Sequence, residues 1–64
     1  MAKEIEILIY DFEDNLIKRV IDVDQIKFLV NSSDKTHPKR ILINAPNYCD
    51  YAPYTMKEFL QLIS

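Results

Sequence analysis

Apolar and polar residues alternate along residues 3–10, which predicts a β-strand there. The isoleucines of this run fall at every second position, and β-branched residues at a period of two are typical of strands. They are Ile5, Ile7 and Ile9. Residues 16–21 form a second run that is rich in β-branched residues. The two runs predict a pair of neighbouring strands.

Asp14 and Asn15 lie between these runs and predict the turn of a β-hairpin. A two-residue loop at this position sets the cross-strand pairs, which are Asp11 with Lys18 and Phe12 with Ile17. One pair is ionic and the other apolar, and both kinds stabilise a hairpin. The chain contains no glycine, so positions with positive φ fall to Asn or Asp, the candidates being Asn15, Asn31 and Asn47.

Residues 22–31 fit two kinds of structure. Ile26, Phe28 and Val30 alternate as in a strand, whereas Asp22 and Gln25 have the spacing of a helix-capping box. We favour the strand and keep the helix as the alternative. Residues 31–38 predict a polar loop, and residues 39–44 predict a further strand that ends at Ala45 and Pro46.

Residues 55–63 carry the clearest helix signal. Thr55 and Glu58 form a Thr-x-x-Glu capping box, and an apolar stripe follows at helical spacing, made of Met56, Phe59, Leu60 and Ile63. The pattern predicts an α+β fold with a small antiparallel β-sheet of about four strands, flat or strongly curled, and one C-terminal α-helix packed on it. A ββαβα order is the alternative.

The predicted sheet is apolar on both faces. One face holds Ile5, Ile7, Ile9, Leu16 and Val20, and the other holds Leu8, Phe12, Ile17, Ile21, Ile26 and Phe28. A helix of nine residues is only about 14 Å long and covers one face. The sheet therefore closes into a barrel or lays its second face against another chain, and we favour association into a homo-oligomer.

A chain of 64 residues predicts one small domain over residues 1–64. Its 48% hydrophobic and 28% charged residues indicate a folded core. A single cysteine forms no internal disulfide, and no secretory leader or membrane span stands out, so we expect a cytoplasmic protein without a membrane partner. The lack of glycine argues against phosphate-cradling loops.

Residues 44–54 are the best candidate for a functional surface, because they hold three of the four tyrosines, the only cysteine and two of the three prolines. Tyrosine offers a large apolar ring and a polar tip at low entropic cost. We predict a stiffened loop that binds a protein partner through Tyr48, Asp50, Tyr51 and Tyr54. The alternative role of these rings is to pack the loop onto the sheet.

Lys35, His37, Lys39 and Arg40 form the one basic cluster and are the candidate nucleic-acid contacts. The net charge of the chain is −2; residues 1–24 carry seven acids and three bases, and residues 25–64 carry three acids and five bases. Nucleic-acid binding generally needs a stronger positive field. A nucleic-acid-binding accessory protein, which uses this cluster and the tyrosine-rich loop, is therefore the second hypothesis, and a nucleic-acid partner is disfavoured.

Cys49 and His37 are the only pair with the chemistry of a nucleophile and a base. A catalytic pair also needs an orienting group and an oxyanion site, and the sequence signals neither. One histidine and one cysteine are too few for a zinc site. We expect no enzyme activity, no metal and no cofactor. The sequence predicts instead a protein–protein interaction module of the adaptor or inhibitor type, of the kind that phages and mobile elements carry, which occupies a surface of a larger partner.

Overall fold

The computed structural model describes residues 3–64. Its elements are β1 (Glu4–Tyr10), β2 (Leu16–Asp22), β3 (Phe28–Asn31), β4 (Ile41–Ala45), β5 (Tyr48–Ala52) and α1 (Met56–Ile63). β1 pairs with β2, and β3, β4 and β5 form a second sheet in that order, with every pairing antiparallel. The predicted α+β fold with its antiparallel pairing and C-terminal helix is confirmed. The described strands number five and lie in two sheets, whereas the sequence predicts about four in one sheet.

The β1–β2 hairpin has a longer loop than the sequence predicts. Ile9 pairs with Ile17 and Leu8 with Lys18, so the predicted pairs of Phe12 with Ile17 and of Asp11 with Lys18 are wrong. Residues 11–15 all lie outside the two strands. Phe12 is therefore a loop residue, and its side chain is wholly exposed, with a relative accessibility of 109%.

Aspartate side chains explain the longer loop. The Asp11 carboxylate accepts hydrogen bonds from the backbone amides of Glu13 and Asn15, each at 2.9 Å, as aspartate often does in turns. Asp14 takes a φ of 66°, in the left-handed region that aspartate tolerates better than most residues. No other residue between positions 3 and 64 has positive φ, so the assignment of such positions to Asn15, Asn31 and Asn47 is wrong.

The ambiguous segment 22–31 divides into two structures. Val23–Gln25 form one turn of 3₁₀-helix, which Asp22 caps by accepting a hydrogen bond from the amide of Asp24 at 3.0 Å. The chain then becomes extended and enters β3 at Phe28. Asp22 is thus a helix cap, but the predicted capping box is not formed, because Asp22 bonds the Asp24 amide and the Gln25 side chain accepts a hydrogen bond from Asn47. The strand pattern holds only from Phe28 onward. The ββαβα alternative is wrong, because the helical part is a single turn.

Residues 44–54 form most of a β-hairpin and not the loop that the sequence predicts. Pro46 and Asn47 make the turn between β4 and β5, and Ala45 pairs with Tyr48 across it. Proline suits the second position of a turn because its φ is fixed near the required value. The sequence of β5, Tyr-Cys-Asp-Tyr-Ala, has two tyrosines that favour strands but no β-branched residue, so its extended form also depends on pairing with the apolar strand β4.

The core draws on both sheets and on α1. Its fully buried residues are Ile7, Ile9, Ile21, Ile41, Ile43, Ala52 and Phe59. Phe59 has no exposed surface and is the largest of them. The predicted capping box is present: the Thr55 hydroxyl accepts from the Glu58 amide at 3.1 Å, and the Glu58 carboxylate accepts from the Thr55 amide at 3.0 Å. This bond, aided by the ammonium group of Lys39, lowers the pKa of Glu58.

The strand register corrects the predicted division of apolar residues between faces. Residues directly opposite each other on antiparallel strands share a face, so Ile17 and Ile21 lie with Ile9, facing the core. Leu16 and Val20 lie on the opposite face of the hairpin and are 51% and 57% exposed.

The three-stranded sheet leaves one face open to solvent. We call it the outer sheet face, and it consists of Phe28, Val30, Leu42, Asn44, Cys49 and Tyr51. Phe28 and Val30 are 53% and 42% exposed. A single short helix therefore leaves apolar sheet surface uncovered, as the sequence predicts.

Candidate interaction surface

A cleft of about 530 Å³ opens between the β1–β2 hairpin and β5. One wall comes from the end of β1 and its loop, at residues 9–12, and from Ile17 and Arg19 on β2. The other wall is residues 47–51. Three of the four predicted partner-binding residues, Tyr48, Asp50 and Tyr51, therefore line one site.

Apolar side chains at the cleft are unusually accessible. Phe12 is wholly exposed, Tyr51 is 43% exposed and Ile17 is 39% exposed. Burying a fully exposed phenylalanine side chain would stabilise the protein or its complex by roughly 1.5–3 kcal/mol. Single exposed apolar residues are common, whereas several around one concave site indicate a binding surface.

An ion pair spans the cleft between the two sheets. Arg19 Nη1 lies 3.2 Å from Asp50 Oδ2, and the Asp50 side chain is only 15% exposed. Arg19 is on the core-facing side of β2, opposite Ile7. The pair compensates the charge of Asp50, which would otherwise be partly withdrawn from water without a partner.

Tyr48 is half-buried and bonded within the molecule. Its hydroxyl donates a hydrogen bond to the carbonyl oxygen of Asp22 at 3.1 Å, which ties β5 to the end of β2. Burial raises the pKa of Tyr48, and the nearby carboxylates of Asp22 and Asp50 add to the effect. The phenol therefore stays protonated as a hydrogen-bond donor over the physiological range.

Tyr51 is the most accessible of the three tyrosines in residues 44–54. Its ring lies on the outer sheet face, and the guanidinium carbon of Arg40 is 4.8 Å from the ring centroid. This distance is that of a cation–π contact. One side of the ring is thus engaged by Arg40, while the remainder reaches both the solvent and the cleft.

Tyr54 lies outside the cleft and has a packing role. Its hydroxyl accepts a hydrogen bond from the backbone amide of Leu8 at 3.1 Å, across 46 residues of sequence. Its ring lies 6.0 Å from that of Phe59, between ring centroids. Tyr54 therefore joins β1 to the core beneath α1, and it is not brought together with the other three predicted contact residues.

The predicted basic cluster is largely paired inside the molecule. Arg40 contacts Asp34 at 3.1 Å and donates to the carbonyl of Ser32 at 3.0 Å. Lys39 lies 3.4 Å from the Glu58 carboxylate. Lys35 is exposed. This pairing weakens the positive field that nucleic-acid binding would use.

His37 links the loop after β3 to the β1–β2 hairpin. Its Nε2 lies 2.7 Å from Asp14 Oδ2, and its ring packs edge-on against Tyr10 at a centroid distance of 5.2 Å. Its backbone amide donates to Asp34, and this bond, with the Arg40 charge, lowers the pKa of that carboxyl. These contacts hold the loop after β3 against the β1–β2 hairpin.

Cys49 and His37 are held by different parts of the structure. Cys49 is exposed on β5, whereas the hydrogen-bonding contacts of His37 within residues 3–64 run to Asp14, Asp34 and Arg40. Over the same residues, no group of three His, Cys, Asp or Glu side chains is arranged to hold a metal ion.

The sequence did not identify Phe12, Ile17 and Arg19 as site residues. The sequence predicts a two-residue turn, which places Phe12 in a strand and pairs it with Ile17. The signal that could have placed it correctly is the Asp-x-x-Asp-Asn pattern of residues 11–15, because an aspartate that begins a loop can bond the amides that follow it.

No protein-family model, no curated protein and no solved structure matches this chain. Within residues 3–64, no helix has both the length and the apolar character needed to cross a membrane.

Proposed function

We propose that this protein is a non-enzymatic protein-binding module of the adaptor or inhibitor type, which acts by occupying a surface of a larger partner. The observation that carries the proposal is the wholly exposed Phe12 at a cleft that Tyr51 and Ile17 also line. Aromatic residues around a concave site commonly contribute most of the affinity of an interface.

The charges at the cleft favour recognition of another protein. Arg19, which is 45% exposed, pairs with the largely buried Asp50 beside apolar side chains, so the site combines apolar contact area with a charged group that can orient a partner. Asp50 and Tyr51 remain the proposed contact residues from residues 44–54. The hydroxyl of Tyr48 is already bonded to Asp22, so a partner at the cleft would contact only the ring of Tyr48.

The proposal includes the cellular setting and the assembly state. Cys49 is an exposed free thiol, which suits the reducing conditions of the cytoplasm. The uncovered outer sheet face supports self-association, because two copies would bury Phe28 and Val30 against each other.

Photo-crosslinking tests the binding function directly. A photoreactive phenylalanine analogue replaces Phe12 in the full chain, which is expressed in its source cells and irradiated. We expect one dominant crosslinked protein, identified by mass spectrometry. The matched control carries the same analogue at Leu62, which is 48% exposed on α1, away from the cleft lining.

The identified partner then allows a quantitative test. Tyr51→Ala should weaken binding of the purified partner by roughly 1–3 kcal/mol while the melting temperature stays close to that of the parent. Equal crosslinking from positions 12 and 62, or none from position 12, would refute the proposal.

A further inference from the structure

We infer that the cleft receives an extended segment of the partner, which adds to the free edge of β5 as a further strand. This inference rests on the proposed function and names the mode of binding at the same site. β5 follows β4 at the end of the order β3-β4-β5, so only one of its edges is used by the sheet.

The lining of the cleft shows that the free edge faces it. Successive residues of a strand point to opposite faces of the sheet. Residues 47–51 nevertheless all line the same cleft, which a cleft over one face of the sheet would not produce. The cleft therefore runs along the strand edge, where unpaired backbone groups can bond a further strand.

The shape of the site favours a single extended chain over the sheet edge of a second copy. The β5 edge forms one wall of a cleft whose other wall is the β1–β2 hairpin. A single strand fits between these two walls. The sheet edge of a second copy would bring its neighbouring strands into collision with the hairpin. Five residues of β5 span about 16 Å, which matches an extended segment of about five residues.

The side chains at the cleft define the chemistry of that segment. Phe12 and Ile17 offer apolar contacts. The charged lining residues are Asp11, Asp50 and Arg19, and Glu13 and Asp14 lie in the adjoining loop. The lining alone has two acids and one base, so its charge is negative. Since Arg19 and Asp50 neutralise each other, Asp11 carries the net charge of the lining, and we expect the bound segment to combine apolar side chains with basic ones.

Selection of peptides from a random library tests this mode with defined probes. The immobilised full-length chain is challenged with displayed peptides of about ten residues, and the enriched sequences are synthesised. We expect these sequences to combine apolar and basic residues. In isotope-labelled protein, the amide signals of residues 47–51 should shift on titration, and the alternate amides among them that face the free edge should become protected from hydrogen exchange, while the signals of Phe28 and Val30 on β3 stay in place.

Two substitutions on one strand provide the matched comparison. Ile17→Lys places a charge in the cleft, and Val20→Lys places the same charge on the opposite face of β2, where Val20 is 57% exposed. Ile17→Lys should weaken the selected peptide roughly tenfold or more, and Val20→Lys should leave its affinity unchanged. Thermal melts of both variants establish that each is folded.

N-methylation of the peptide separates strand addition from docking by side chains alone. Methylation of alternate backbone amides should abolish binding for one of the two alternating sets, because those amides bond to β5. Retained binding for both sets, shifts confined to the outer sheet face, or no enriched peptide would overturn the inference. In each of these cases a protein crosslinked at position 12 would still uphold the proposed function, which fails separately when no such protein is found.

Discussion

Truncation of Phe59 to alanine is the sharpest test of how this small core is built. Phe59 is the only fully buried residue of α1, with no exposed surface, and its ring lies 6.0 Å from that of Tyr54. Phe→Ala substitutions in protein cores cost roughly 3–5 kcal/mol, since apolar contacts are lost and a cavity remains. A domain of this size has a total stability of about 3–10 kcal/mol. The substitution therefore removes a large part of the stability, or all of it.

Leu60→Ala is the matched control, because Leu60 is the next residue of the same helix and is 48% exposed. Surface substitutions change the stability by about 0.5 kcal/mol or less. Each kcal/mol shifts the melting temperature of a domain of this size by roughly 4–8 °C. Thermal melts followed by circular dichroism should therefore show a fall of at least about 12 °C for Phe59→Ala and only a few degrees for Leu60→Ala. Equal melting temperatures for the two variants would show that α1 does not complete the core.

Three further predictions follow from the tyrosines, the helix cap and the outer sheet face. Tyr54→Phe should lower the stability by roughly 1–3 kcal/mol in denaturant titrations, because the Leu8 amide loses its acceptor, whereas Tyr51→Phe should leave it unchanged; the reverse order would contradict the packing role of Tyr54. The lowered pKa of Glu58 means that its ionised form stabilises the folded state, so this stability is present at neutral pH and is lost as the pH falls through the folded-state pKa. Between about pH 7 and pH 3, the melting temperature should fall less steeply for Glu58→Gln than for the parent protein. Equal slopes would refute the assignment of this pH-dependent stability to Glu58. Sedimentation at micromolar concentration should give about twice the monomer mass, and Val30→Lys should restore the monomer. A parent protein that sediments as a monomer would contradict the proposed dimer.

The local signal of the helix cap predicts the structure correctly, whereas the local signal of the Asp11 loop and the features that depend on strand pairing are not predicted. The Thr55–Glu58 cap was predictable because both bonds form within one turn of chain. β5 was missed because its extended form depends on β4, which lies earlier in the sequence. The cleft residue Arg19 was missed for a similar reason, since its partner Asp50 is 31 residues away. That Asp50 and Tyr51 share one surface could be predicted, but the second wall of the cleft could not.

The contacts that close the molecule join distant parts of the chain, and this determines how it folds and unfolds. Leu8 and Tyr54 are 46 residues apart, and the Lys3 ammonium group donates to the Ile63 carbonyl across 60 residues. The turns at residues 11–15 and at Pro46 need only short loops to close. Loop-closure entropy favours the short-range contacts first, so we expect the hairpins to form early and α1 to dock late. Weakening the α1 contacts should therefore accelerate unfolding and leave the rate of folding nearly unchanged. If α1 docks last, the lifetime of the folded protein depends on the contacts of this helix.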